Sequence, residues 1–247
     1  MTDLCPLLID LNSDVGEGYT SDERLICCVT SVNIACGAHA GSRETMIRAL
    51  EQAQAAGVRV GAHPGYADRD HFGRLELVLA PTEVELLVEE QLHCLAELAA
   101  ARGMSLTHLK PHGGLYHVAA RDHGTALAIA SVVKRFDPRM VLVGRAGSAL
   151  AECAEQMGLA FTREAFADRA YLANGELVPR GLGGGVWHDV QRVVEQVVGI
   201  VTRGEVMAVD GTRFALEADT ICLHGDTPGA EKLASAVRLV LEELVAP

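Results

Sequence analysis

One rhythm constrains this chain more than any other feature. Short apolar runs recur, each closes on a turn rich in glycine, proline or ionisable residues, and most are followed by a stretch with helical spacing. The runs span residues 7–11, 32–35, 58–62, 106–109, 140–143, 159–162 and 221–223. They are continuous rather than alternating, which fits strands buried on both faces of a parallel sheet. Strands that alternate with helices require crossover connections, and about seven such units in 247 residues predict a closed or nearly closed (β/α) barrel. A doubly wound open sheet is the second reading of the same rhythm.

The helical stretches carry their own boundaries. Ser42 reads as an N-cap and Gly57 as the residue just past the C-cap. Pro81 precedes a Thr82–Glu85 capping-box pattern, and Gly103 stops the apolar periodicity behind it. Further helices are expected over about 121–136, 147–157 and 190–202, and a last one with Thr227 as cap and Pro228 at its first position.

The chain is 49% hydrophobic but only 4% aromatic, so the core must be built from Val, Leu, Ile and Ala. No break in composition divides it, and residues 1–247 read as one domain. The net charge is −12 and no run of Lys or Arg occurs, which excludes a nucleic-acid footprint and disfavours an anionic membrane surface. No apolar run is long enough to span a bilayer. The seven cysteines include no C-x-x-C pair and read as reduced thiols in a cytoplasmic protein.

In β/α barrels the active site lies at the C-terminal ends of the strands. Here those ends carry Asp14 and Glu17, His39, His63, Lys110 and His112, Glu164, Asp168 and Arg169, and His224 and Asp226; the fifth offers only Arg145. Taken singly, each has a plain reading as a turn residue, a cap or a solvated ion pair. Their shared address is what argues for a site. His and carboxylate ligands from separate strand ends could hold a divalent metal, with Asp14, His39 and His63 as candidates. No H-E-x-x-H is present, and the four-residue spacing of His108 and His112 falls on a strand running into Pro111. Without a metal, the set supplies general bases, a cationic clamp in Lys110 and carboxylate binders in Arg69, Arg74 and Arg169, which suits amide or ester hydrolysis. No G-x-S-x-G elbow, P-loop or strand-end G-x-G-x-x-G occurs. His71, His93, His108, His117, His123 and His188 receive no role. The segment "RGLGGGVW", with four glycines in residues 181–185, reads as a mobile lid or as a plain flexible loop.

The segments "IDLNSDVGEGY", "NIACGAHAG", "GAHPGYADRDHFGR", "LKPHGGLY", "FADRAY", "LVPR" and "ICLHGD" occur in this order. Together, over about residues 8–240, they resemble the LamB/YcsF family. The resemblance implies a distorted seven-stranded β/α barrel related to glycoside hydrolase and polysaccharide deacetylase barrels. It implies the A component of an ATP-dependent 5-oxoprolinase, which converts 5-oxo-L-proline, ATP and two waters to L-glutamate, ADP and phosphate together with partner B and C subunits. ATP would be a co-substrate of that complex, and a divalent metal, such as Mg²⁺ carried with ATP, stays open. The motifs place Asn12, Asp14, Glu17, Asn33, His39, His63, Lys110, His112, Asp168, Arg169, His224 and Asp226 among the site residues.

The departures are Ala38, Ser42, Gly65, Ala67, His117 and the glycines of 181–185, where the family commonly carries other residues; the charged set is intact. In this reading Lys110 binds the carbonyl or phosphoryl oxygen, Arg69 or Arg169 holds the substrate carboxylate, and His63, His112, Asp14 and Asp226 share the proton transfers in an order the sequence leaves open. Two alternatives stand beside it: a metal-dependent deacetylase or carbohydrate hydrolase on the same barrel, and a non-catalytic protein that binds 5-oxoproline.

Overall fold

The computed structural model describes residues 9–245. Seven parallel strands close into a barrel: β1 (Asp10–Val15), β2 (Ser31–Ala35), β3 (Arg59–His63), β4 (His108–Leu109), β5 (Val141–Gly144), β6 (Ala160–Phe166) and β9 (Thr220–His224). Outside it lie α1 (Asp22–Ile26), α2 (Arg43–Ala56), α3 (Pro81–Ala100), α4 (Gly113–Arg121), α5 (His123–Phe136), α6 (Ala149–Gln156), α7 (Val190–Arg203) and α8 (Ala230–Val245). Two short strands, β7 (Glu205–Met207) and β8 (Arg213–Ala215), form an antiparallel hairpin before the last barrel strand. The closed barrel expected from the strand rhythm is therefore the observed architecture, and the open sheet is not.

Period-two geometry sorts the strand side chains. Leu11, Val15, Val32, Ile34, Val60, Ala62, Leu109, Leu142, Ala165, Ile221 and Leu223 are buried in the apolar core. The alternate positions Asn12, Asp14, Asn33, His63, His108 and Glu164 are also buried but polar; hydrogen bonds join Asn12, Asp14, Asn33, His108 and Glu164 across the barrel, and His63 Nε2 lies 3.3 Å from Asp14 Oδ2. The lumen of this barrel is therefore a polar network, where barrels of this type are commonly filled by branched apolar side chains. At its lower end the Asp10 carboxylate accepts from the hydroxyls of Thr30 (2.5 Å), Ser31 (2.8 Å) and Thr220 (2.6 Å) and pairs with Arg59. Position 61 must be glycine: a Cβ there would lie 2.2 Å from the His108 ring that occupies the lumen beside it.

Several boundaries differ from the sequence expectation. The first strand is Asp10–Val15, so Asp14 lies within it; residues 7 and 8 of the expected strand fall outside the described residues. α2 has the expected ends, with Ser42 accepting from Thr45 N and Gly57 at φ 68°. α3 starts two residues earlier than the capping-box pattern predicts, with Pro81 as its first residue and Glu83, not Glu85, reaching back to the Ala80 N–H. Thr227 does not cap α8, which begins at Ala230; its hydroxyl donates to Asp168 instead. α1, α4 and the β7–β8 hairpin had no sequence expectation, although Asp210-Gly211 is a hairpin signal. The glycine-rich segment is held at its flanks, because the Arg169 guanidinium donates to the carbonyls of Val178 (2.7 Å) and Gly185 (3.1 Å). That geometry does not support an untethered lid.

Candidate active site

A cavity of about 400 Å³ opens at the C-terminal end of the barrel, within the usual size range of small-molecule sites. Asp14, Glu17, His63, Arg74, Lys110, His112, Arg169, His224 and Asp226 all line it. Lys110 lies at its floor. Its ammonium is 2.9 Å from Asp14 Oδ1, 2.8 Å from Glu164 Oε1, 3.1 Å from Cys222 Sγ and 3.4 Å from Asn12 Oδ1. Three N–H donors thus face four protein partners, and none is left for a substrate oxygen. The clamp expected from the sequence gives way to a different task. Burial alone would lower the Lys110 ammonium, but Asp14, Cys222 and Glu164 around it outweigh burial and hold it well above its ordinary value. Burial alone would likewise raise the Asp14 carboxyl, yet His63 and Lys110 keep it well below the carboxylate range. A compact ammonium fits this position between two carboxylates, where a planar guanidinium fork does not.

On one side of Lys110, the ring nitrogens of His63 and His112 meet at 2.9 Å. His63 Nδ1 faces the Lys110 carbonyl at 2.8 Å, and His112 Nε2 faces the Phe72 carbonyl at 2.8 Å. A carbonyl only accepts, so both of those nitrogens carry hydrogen. The remaining pair, His63 Nε2 and His112 Nδ1, converges with Asp14 into one oxygen and two nitrogen ligands within 4.8 Å of one another. Histidines whose second nitrogen donates to a carbonyl are arranged as metal ligands commonly are, so this donor set fits a divalent ion. The expected set changes by one member: His112 takes the place of His39. Phe72 is held at φ 58°, the one non-glycine residue with positive φ among the described residues.

His39 lies behind His112, its ring stacked on it at 3.8 Å, and burial presses it down to about 3. Glu17 Oε1 is 3.6 Å from both His39 Nε2 and His112 Nδ1, too far for a good hydrogen bond, and has no other partner among the described residues. Burial, reinforced by the charges of Asp14 and Asp226, pushes the Glu17 carboxyl well above its ordinary value. Two neighbouring carboxyls in one cavity are thus driven apart, Asp14 towards the ion and Glu17 towards the acid.

Across the cavity, His224 Nδ1 lies 2.8 Å from Asp168 Oδ1. Asp168 is fully buried, and its other oxygen accepts from the Thr227 hydroxyl at 3.0 Å. With Nδ1–H directed at Asp168, the lone pair of the His224 ring is left on Nε2. Asp168 and Arg169, neighbours in sequence, do not pair with each other: Asp168 holds His224 and Thr227, and Arg169 holds the carbonyls of Val178 and Gly185. Asp226 is paired with Arg74 and Arg180. Asn12 and Asn33 sit below Asp14 in the lumen and position it, with Asn33 Nδ2 2.8 Å from Asp14 Oδ1. Arg69 does not line the cavity; its guanidinium donates to the carbonyls of Gly37 (2.7 Å) and Gly41 (2.9 Å).

Sequence reasoning missed Tyr116, Phe166 and Arg180 on the cavity wall and His108 in the lumen, and gave Glu164 and Arg145 an address but no role. Glu164 Oε2 and the Tyr116 hydroxyl are buried without a partner among the described residues. Burial and the adjacent Glu164 push the Tyr116 phenol well above its ordinary value, so it remains a neutral donor. The i, i+2 spacing of His108, Lys110 and His112 was the available signal for a polar lumen face.

The sequence profile of the LamB/YcsF family matches residues 9–246. The chain belongs to the LamB/YcsF family. It is 46% identical over 238 residues to the A subunit of 5-oxoprolinase from Syntrophobacter fumaroxidans, covering 94% of each chain. It is 47% identical over 241 residues to the corresponding 5-oxoprolinase A subunit of Chloroflexus aggregans, covering 96% of each. Among solved structures, the lactam utilization protein of Thermus thermophilus superposes with a TM-score of 0.89 at 43% identity, covering 96% of each chain. At the level of fold alone, this LamB/YcsF barrel is similar to a putative cellobiose-phosphate cleavage protein of Enterococcus faecalis V583, with a TM-score of 0.56 and 10% identity, covering 96% of this chain and 92% of the other. None of the described helices of this LamB/YcsF chain is long and apolar enough to cross a membrane.

Proposed function

We propose that this chain is the A component of an ATP-dependent 5-oxoprolinase, opening the lactam of 5-oxo-L-proline to L-glutamate within a complex with B and C subunits, in the cytoplasm. The names of its relatives support the substrate and the existence of a complex. The observation that carries the chemistry is the meeting, in one cavity, of His224 backed by Asp168 and of Glu17 held in its acid form.

A lactam is a poor electrophile, and transfer of the ATP γ-phosphoryl to its oxygen makes the ring carbon open to attack. The sequence carries no P-loop pattern, so this chain does not hold ATP with a P-loop, and ATP enters the reading as a co-substrate of the complex. His224 takes a proton from the attacking water through Nε2, while Asp168 fixes the tautomer and stabilises the imidazolium that forms. Glu17 gives its proton to the ring nitrogen as the C–N bond breaks, which leaves an acyl phosphate that the second water hydrolyses to glutamate and free phosphate. Asp14 stays ionised beside Lys110 and supports the His63–His112 pair. A divalent ion held by Asp14, His63 and His112, if bound, would supply Lewis-acid polarisation of the substrate oxygen.

The test is formation of glutamate and ADP from 5-oxoproline, by this protein alone and with the B and C subunits. Glutamate only from the full set and only with ATP is the expected result. Glutamate from this chain alone, without ATP, would overturn the coupling; none under any condition would overturn the assignment.

A further inference from the structure

Five arginines line the cavity: Arg74, Arg121, Arg145, Arg169 and Arg180. Four are engaged. Arg74 and Arg180 pair with Asp226, Arg121 pairs with Glu76, and Arg169 holds the carbonyls of Val178 and Gly185. Arg145 alone has no hydrogen bond or ion pair among the described residues, although it is half-buried. A guanidinium held at a cavity wall without a counter-charge is an open site for an anion.

Its place in the fold sharpens this. Gly144, the last residue of β5, pairs in register with Arg163 of β6, so Arg145 leaves the barrel level with Glu164, which stays within β6 and turns into the lumen. Three residues beyond Arg145, Ser148 caps α6, which puts the positive end of that helix at the same rim. The ligand that fits is a small ring bearing one carboxylate. Arg69 and Arg169, the two expected from sequence to bind it, each hold two backbone carbonyls through two of their three guanidinium nitrogens.

We infer that Arg145 is the anchor for the substrate carboxylate and the residue that selects carboxylated lactams over bare ones. This rests on the lactam reading above and adds to it the element of specificity. The guanidinium presents two parallel N–H donors to the two carboxylate oxygens, a geometry that lysine does not reproduce. It touches the part of the substrate that does not react, so its contribution belongs to binding and is equal in the ground and transition states.

The experiment uses the complete complex. KM and kcat for 5-oxoproline, and the inhibition constant of 2-pyrrolidinone, the same ring without the carboxylate, are measured for the wild type and Arg145→Met. The variant is expected to raise KM about 10- to 100-fold with kcat little changed, while the 2-pyrrolidinone constant stays within about twofold. The unchanged 2-pyrrolidinone constant also reports that the variant is folded. Arg145→Lys is expected to recover only part of the loss. An unchanged KM, a fall in kcat alone, or equal weakening of both ligands would overturn the inference. Failure of the lactam reading shows separately, as a wild-type complex that makes no glutamate.

Discussion

The Lys110 ammonium lies 2.8 Å from Glu164 and holds that carboxylate, together with Asp14 at 2.9 Å, inside the barrel. Removing one partner of a buried charge set leaves the others uncompensated, at a cost of about 3–5 kcal/mol. Lys110→Met is therefore expected to lose both activity and stability, read by urea denaturation. Adding Glu164→Gln to it should restore part of the stability and none of the activity. A Lys110→Met protein as stable as the wild type would sink this account.

Asp168→Asn keeps the volume but presents an amide to His224 Nδ1, which favours the wrong tautomer. The expected effect is a drop in kcat of about 10²–10⁴ with KM little changed. Steady-state kinetics of the complex check it, and an equal rise in KM would mean that Asp168 acts only on folding or binding.

Glu17 acts in its acid form, so activity should fall as pH rises through its elevated pKa. Glu17→Gln cannot transfer a proton and should lower kcat about 10²–10⁴. What activity remains should lack that alkaline decline. A pH–rate profile with the wild-type decline intact would remove Glu17 from the proton transfer.

Asp22 makes a stability prediction of definite sign. Burial raises its carboxyl to about 6 against the Gly16 N–H and Arg48, and its Oδ1 has no partner among the described residues. The folded chain therefore holds this proton more tightly than the unfolded chain, whose Asp titrates near about 4. Stability is lost as pH rises from about 4 to about 6, and the loss is complete above that window. Asp22→Asn should be more stable than the wild type by about 1–3 kcal/mol at pH 7–8 and equal to it near pH 4. Parallel denaturation curves at the two pH values decide it.

The barrel was legible because each apolar run marks the strand face turned towards the helices, and the turn residues behind it mark the rim. The polar face was not, because Asn33 and His108 fall inside runs read as continuously apolar and Asn12 directly follows one, so the alternation that turns them into the lumen went unread. Lys110 illustrates the limit. Its exceptional identity was visible among three lysines and eighteen arginines, but its donors are all taken by residues from other strands. Arg69 and Arg145 show the same limit in reverse. Which arginine is free depends on which carbonyls the folded loops offer, and no local spacing encodes that.

The strand that seals the barrel comes last. Asp10, Asn12 and Ser13 bond to Thr220 and Leu223, so the first and last strands of the sheet meet only after residue 224 has been made. A growing polypeptide that has not reached this strand lacks both His224 and the closure between β1 and β6, so it carries no assembled catalytic centre. Competence to meet a partner and to turn over substrate arrives in a single late step, with the emergence of the final strand.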